Sequence, residues 1–195
     1  MLAFVIFVFA VAGMIKGTIG LGLPAVSMGL LSLVISPFQA ATLLIIPSMV
    51  TNFWQLFAEG RVLRLVQRFW PLLVGMIIGS VWSVFPTLGH GEFQSEALLG
   101  GMLAIYGLYG LFAKNMPNLA PYEKYLSPIM GYLGGALTVA TGVVVIPVVP
   151  YLHSLHLKRY DLLHSLGLAF PVSTLCFATS LHLTPVSNIP IDYQL

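Results

Sequence analysis

The amino-acid sequence predicts an all-α polytopic membrane protein made of two inverted repeats, each opening with a broken, re-entrant helical hairpin. Three observations carry that expectation. Hydrophobic residues make up 58% of the 195 and charged residues only 7%, with mean hydropathy +0.95, whereas ordinary soluble domains carry about 25% charged residues. Two glycine-rich interruptions, ending at Pro24 and Pro147, cut stretches otherwise apolar enough to enter a bilayer. Lysine and arginine fall on loops that a hairpin topology gathers on one side.

The first interruption is Gly13-Met14-Ile15-Lys16-Gly17-Thr18-Ile19-Gly20-Leu21-Gly22-Leu23-Pro24, with four glycines, a threonine and a lysine in twelve residues. Apolar residues flank it over 1–15 and 25–36. A continuous helix across both flanks would measure roughly 54 Å, against a hydrocarbon core of about 30 Å. Either flank alone is shorter than the about 20 residues that crossing takes. The expected solution is two half-helices joined at the glycines and returning to the face of entry. Pro24 suits the first turn of the second half, where a missing N–H costs nothing. Such a break leaves backbone N–H groups free at a helix N-terminus, which favours an anion. Irregular backbone survives at membrane depth only where protein or a wet cavity covers it.

Further along, 38–58 is long enough to span, and Arg61, Arg64 and Arg68 follow on a short interfacial stretch. A second span is expected over 69–88, where Gly75 and Gly79 provide a groove for a closely packed neighbouring helix. A polar loop over 89–96 leads to a third span, 97–113, which closes the first repeat, 1–113. Residues 114–124, with Pro117 and Pro121, form a cytoplasmic linker. The second repeat, 125–182, holds a hairpin and one span over 161–182, and 183–195 is a tail. Its break, Gly134 to Pro147, echoes the first: an offset of 123 places Thr18 on Thr141 and Pro24 on Pro147. One inserted residue later, Pro47 meets Pro171 and Phe53 meets Phe177.

Charge placement favours hairpins over crossings. If both broken segments return to their starting face, one side receives Arg61, Arg64, Arg68, Lys114, Lys124, Lys158 and Arg159. The other receives only His90, Glu92, Glu96, His182 and Asp192. The positive-inside rule then makes the basic side cytoplasmic. Three full spans separate corresponding points of the hairpins, which inverts one repeat relative to the other. The formal net charge of +2 implies no nucleic-acid partner, and the single Cys176 excludes an intrachain disulfide. Ala10-Val11-Ala12 has the form of a signal-peptidase site, but no basic residue precedes the apolar run, so the segment reads as a retained membrane helix.

Chemistry concentrates beside the first break. Ser48, Thr51, Asn52, Gln55 and Glu59 recur at helical spacing and form one polar stripe on the helix over 38–58. Asn52 lies roughly 21 Å below the start of that helix, the depth at which the break is expected. Asn52 and Gln55 thus read either as lining a substrate site or as helix-to-helix packing. Lys16 reads either as the counter-charge for an anion or as a long stem carrying its ammonium to the interface. Ser173, Thr174, Cys176, Thr179 and Ser180 offer a similar but weaker set in the last span. The candidate substrate-binding residues are Lys16, Thr18, Gly20, Gly22, Asn52, Gln55, Thr141 and Gly142. No cofactor or metal is expected: His153, His156 and His164 lack a carboxylate or thiolate cluster and read as interfacial. Neither a nucleophile elbow nor a phosphate-binding loop occurs in the sequence, so an enzyme is not expected.

At Gly17-Thr18-Ile19-Gly20-Leu21-Gly22-Leu23-Pro24, at Thr51-Asn52-Phe53-Trp54-Gln55 with the arginine-containing segment after it, and in the second copy around 141–147, the sequence resembles the sulfite exporter TauE/SafE family. The resemblance implies a multi-pass permease of the bacterial inner membrane for small sulfur-containing or organic anions such as sulfite or sulfonates, with an ion as a coupling partner. The alternative is a non-transporting membrane subunit or truncated remnant that only packs against partners. Two departures from the family stand out. Cys176 occupies the place in the second repeat that Asn52 holds in the first. The second repeat stops after one span where the family continues with two helices. The expectation is therefore a chain short at its C-terminus, whose second break, 141–145, faces lipid unless another copy or a completing subunit covers it.

Overall fold

A computed structural model describes residues 2–20, 22–57, 62–83, 92–112, 117–143 and 146–183. Among these residues every regular element is helical. The order is α1 (Leu2–Ile19), α2 (Leu23–Leu31), α3 (Pro37–Phe57), α4 (Val62–Val81), α5 (Glu92–Phe112), a 3₁₀ turn (Ala120–Tyr122), α6 (Glu123–Thr141), α7 (Val148–Ser154) and α8 (Arg159–Leu183). Among the described residues four helical stretches are long and apolar enough to cross a membrane: Leu2–Ile19, Pro37–Phe57, Val62–Val81 and Arg159–Ser180. The apolar part of α5, Ala97–Leu111, is shorter.

The first interruption is narrower than expected. The helix does not stop at Ile15 but runs through Gly13 and Gly17 to Ile19, so α1 alone is roughly 27 Å long and comes close to spanning the hydrocarbon layer. Isolated glycines inside a helix cost only about 1 kcal/mol each, which an apolar surround tolerates. The backbone turns where φ becomes positive, at Gly20 (83°) and Gly22 (110°). α2 then starts with Pro24 in its first turn. Leu21 lies outside the described residues.

The second interruption is also shifted. Gly134 and Gly135 belong to α6, and the chain breaks at Gly142, in the left-handed region at φ 73°. Gly142 N–H donates to the Thr138 carbonyl at 2.7 Å, and Val143 N–H reaches Thr141 Oγ1 at 3.3 Å. α7 leads back to the start of α6: Leu119 N–H donates to the Ser154 carbonyl at 3.0 Å, and the Ser127 and Tyr151 hydroxyls share a hydrogen bond of 2.7 Å. The expectation that this break faces lipid is corrected for its described part. Thr141 is 0% and Val143 4% exposed, because Met28, Ala41 and Phe177 close over Gly142. Residues 144 and 145 lie outside the described residues.

The span expected over 69–88 is also displaced. α4 begins at Val62 and ends at Val81, so Arg64 and Arg68 ride on its first two turns. Their long stems carry the guanidinium groups outward while the helix continues. Arg68 makes a two-pronged ion pair with Glu123, at 2.8 and 2.7 Å. Glu123 and Lys124, assigned to the linker by sequence, open α6, and Glu92 to Glu96, assigned to a loop, open α5. The positions of Arg61, Lys114 and His90, and of the tail from 184 onward, lie outside the described residues.

The most extensive helix contact among the described residues joins α4 to α6, one helix from each half of the chain. The helices run parallel and touch backbone to backbone. A Cβ at Gly75 would collide with the Pro128 carbonyl, and one at Gly79 with the Tyr132 carbonyl. Reciprocally, a Cβ at Gly131 would strike the Leu72 carbonyl and one at Gly135 the Met76 carbonyl. The groove expected at Gly75 and Gly79 is therefore occupied, and its partner is a second glycine pair at the same four-residue spacing. α3 and α8 pack antiparallel, with Gln55 beside Leu163 and Gly167 at one end. The starts of α4, α6 and α8 and the end of α3 accordingly gather at one end of the bundle, which carries Arg64, Arg68, Lys124, Lys158 and Arg159.

Candidate anion site beside the first break

Lys16 sits one turn before the break and points into the protein. It is 7% exposed. Its Nζ donates to Thr51 Oγ1 at 3.0 Å and to Asn52 Oδ1. The ammonium is therefore not carried to the interface by its stem. Thr51 spends its own proton on the Pro47 carbonyl at 2.8 Å, which leaves oxygen lone pairs for the lysine. Asn52 is fully buried, and its Nδ2 has no hydrogen-bond partner among the described residues. The sole ion pair among the described residues is the one between Arg68 and Glu123, so no carboxylate there neutralises Lys16. A buried ammonium held only by neutral groups keeps most of its desolvation penalty. Among the described residues the arrangement is short of a negative charge; Glu59, the last member of the polar stripe, lies outside them.

An open cleft of about 630 Å³ lies over this group. α1 contributes Gly13, Lys16 and Gly17 to its wall, the break after it contributes Gly20, α2 contributes Leu23, and α3 contributes Val50, Thr51, Trp54 and Gln55. Leu163 of α8 closes one end, where its carbonyl accepts a 2.6 Å bond from Gln55 Nε2. The first turn of α2, whose N–H groups lack intrahelical acceptors, begins at the cleft with Leu23. Replacing Gln55 with leucine is expected to lower stability by about 0.5–1.5 kcal/mol, the net worth of one hydrogen bond. Thermal unfolding in detergent measures this, and an unchanged melting temperature would make the contact energetically idle.

The sequence-predicted residues divide among three places. Lys16, Gly20 and Gln55 line the cleft, and Asn52 lies behind it as a partner of Lys16. Thr18 is on the exposed side of α1, its hydroxyl bonded back to the Met14 and Ile15 carbonyls at 3.2 and 2.9 Å. Gly22 supplies the turn into α2 and is not part of the cleft wall. Thr141 and Gly142 are elsewhere. Gly142 packs on Ala41 and Gly20 on Leu163 next to Gln55, and Ala41 and Gln55 are separated along α3 by roughly 21 Å. Gly142 lines a small void of about 20 Å³ together with Pro24, Ser48, Thr138 and Thr174. That void has room for about one water molecule. Ser173 donates to Thr138 there at 3.0 Å, so part of the weaker polar set on α8 serves packing. Leu163 was not anticipated, because a backbone carbonyl leaves no mark on the sequence.

A multi-pass helical membrane protein with an ionisable side chain buried beside a helix break has the layout of a membrane transport protein. The chain belongs to the sulfite exporter TauE/SafE family: the model described as "Sulfite exporter TauE/SafE" matches residues 5–191. The family is one of multi-pass membrane transporters and not of enzymes. Comparison with curated proteins and comparison with solved structures each gave no significant match.

Proposed function

We propose that the protein is a permease for small sulfur-containing or organic anions, such as sulfite or sulfonates, in the bacterial inner membrane, and that Lys16 supplies the charge that receives them. One observation carries this reading: a buried lysine ammonium, with no carboxylate partner among the described residues, opens on a cleft at a helix break between helices long enough to span. Asn52 Nδ2, without a hydrogen-bond partner among the described residues, is a second donor beside Lys16. Titration of purified protein with sulfite and methanesulfonate tests the reading. Binding that weakens at least tenfold in Lys16→Met is expected, and binding indifferent to that change would refute it.

The transport pathway is proposed to lie between two inverted repeats, 1–113 and 125–182, joined by a linker at 114–124. Support comes from the order of elements. A long helix, a glycine break in the left-handed region, a short helix and a proline-containing long helix occur as α1–α2–α3 and again as α6–α7–α8. The antiparallel course of α3 and α8 is what inversion requires. With the basic end cytoplasmic, a cysteine at position 124 or 158 is labelled only from the cytoplasm in a Cys176-free background. Labelling of position 158 from the periplasm in intact cells would overturn this topology.

A further inference from the structure

The cleft beside Lys16 is larger and more apolar than a bare inorganic oxyanion requires. It holds about 630 Å³, yet Lys16 is the only charged residue among its described lining. Gly13 and Gly17 on α1 and Gly20 just beyond its end recur at four- and three-residue spacing, so apart from Lys16 this face brings no side chain to the described lining of the cleft. A Cβ at Gly13 or Gly17 would meet nothing within 4 Å, which leaves an open channel along the helix. Across the channel Val50 is 64% and Trp54 82% exposed. Both walls belong to helices long enough to span, α1 and α3, so the channel opens sideways at membrane depth.

Depth is ordered along the cleft. Trp54 and Gln55 lie toward the basic end, Lys16 meets Thr51 one turn deeper, and Gly13 and Val50 lie deeper again. An amphiphile in the adjacent leaflet has the same order, with its charged head nearer the interface and its tail in hydrocarbon. We propose that the cleft binds organic anions bearing an apolar tail, with the oxyanion head on Lys16 and the tail in the glycine channel between Gly13, Gly17 and Val50. This rests on the anion reading above and narrows it to tailed substrates entering from the membrane.

The test compares methanesulfonate with octanesulfonate on purified protein in phosphatidylcholine nanodiscs, with empty nanodiscs subtracted. Each methylene that enters the channel should tighten binding about fourfold, so burial there of about three or four of the methylenes that octanesulfonate adds should make it bind on the order of 100-fold more tightly. Lys16→Met should weaken both ligands, and Gly13→Leu or Gly17→Leu should drive the affinity ratio toward one by filling the channel. Leucine at these positions meets open space, so the variants are expected to fold. Equal affinity for the two sulfonates, with both dependent on Lys16, would overturn the tail proposal and leave the anion site standing. Absence of Lys16-dependent binding for either ligand would overturn both. Octanesulfonate bound equally well by Lys16→Met, or a ratio that both leucine variants leave unchanged, would place the tail elsewhere and overturn the proposal.

Discussion

Leucine at Gly79 or Gly135 is expected to leave little folded protein, whereas leucine at Gly107 should melt like the wild type. The first two glycines lie in the seam between α4 and α6, where even a Cβ would strike a backbone carbonyl of the facing helix. A carbonyl on a helix axis cannot rotate away as a side chain can, so the helices must separate. Forced insertion of side chains into a packed contact costs about 1–3 kcal/mol, and more where backbone has to move. Separation here also loosens the longest contact between the two halves. Against a total stability of about 5–15 kcal/mol, the loss is severe. Gly107 on α5 has nothing within 4 Å of its would-be Cβ, which makes it the matched control. Thermal unfolding and size-exclusion behaviour in detergent report the difference. Gly79→Leu and Gly107→Leu proteins of equal stability would contradict the seam.

Opposite effects are expected at the two ends of the Lys16–Asn52 contact. Lys16→Met removes a desolvated charge and replaces it with an apolar chain of similar length, so stability should be kept or raised. Asn52→Leu instead takes one of two acceptors from a buried ammonium, at a cost of about 1.5–3 kcal/mol. In the Lys16→Met background the same asparagine substitution should cost less, because the unpaired charge is gone. Binding separates the variants differently. Loss of the Lys16 charge should weaken a small anion about 10- to 150-fold, the factor equivalent to one charge-assisted hydrogen bond. A double-mutant cycle of melting curves, combined with anion titrations, checks both halves. Strict additivity with unchanged affinity would reduce the contact to ordinary packing.

Several elements were legible because the residues allow few alternatives. Glycines at positive φ mark both breaks, and of the stripe of Ser48, Thr51, Asn52, Gln55 and Glu59, Thr51 and Asn52 meet Lys16 while Glu59 lies outside the described residues. The depth argument that set Asn52 beside the first break survives as the Lys16–Asn52 hydrogen bond. Other features depended on partners that sequence does not reveal. Gly134 and Gly135 belong to a helix because α4 and Val148 pack against them, although the same residues favour a break in isolation. α4 starts seven residues before the expected span because the Arg64 and Arg68 side chains can leave the helix without ending it. Thr18 can face outward because its hydroxyl is satisfied within its own helix by the Met14 and Ile15 carbonyls of the preceding turn. The covering of Gly142 by Ala41 and Met28 arises from the first half of the chain closing over the second, a contact between segments more than a hundred residues apart.

Uptake of radiolabelled sulfite or methanesulfonate by proteoliposomes, wild type against Lys16→Met, tests the central claim most directly. The expected result is saturable anion flux by the wild-type protein and flux reduced at least tenfold by Lys16→Met, with both proteins equally incorporated and equally resistant to heat. Wild-type flux that persists undiminished in Lys16→Met, or an absence of anion flux from folded wild-type protein, would contradict it.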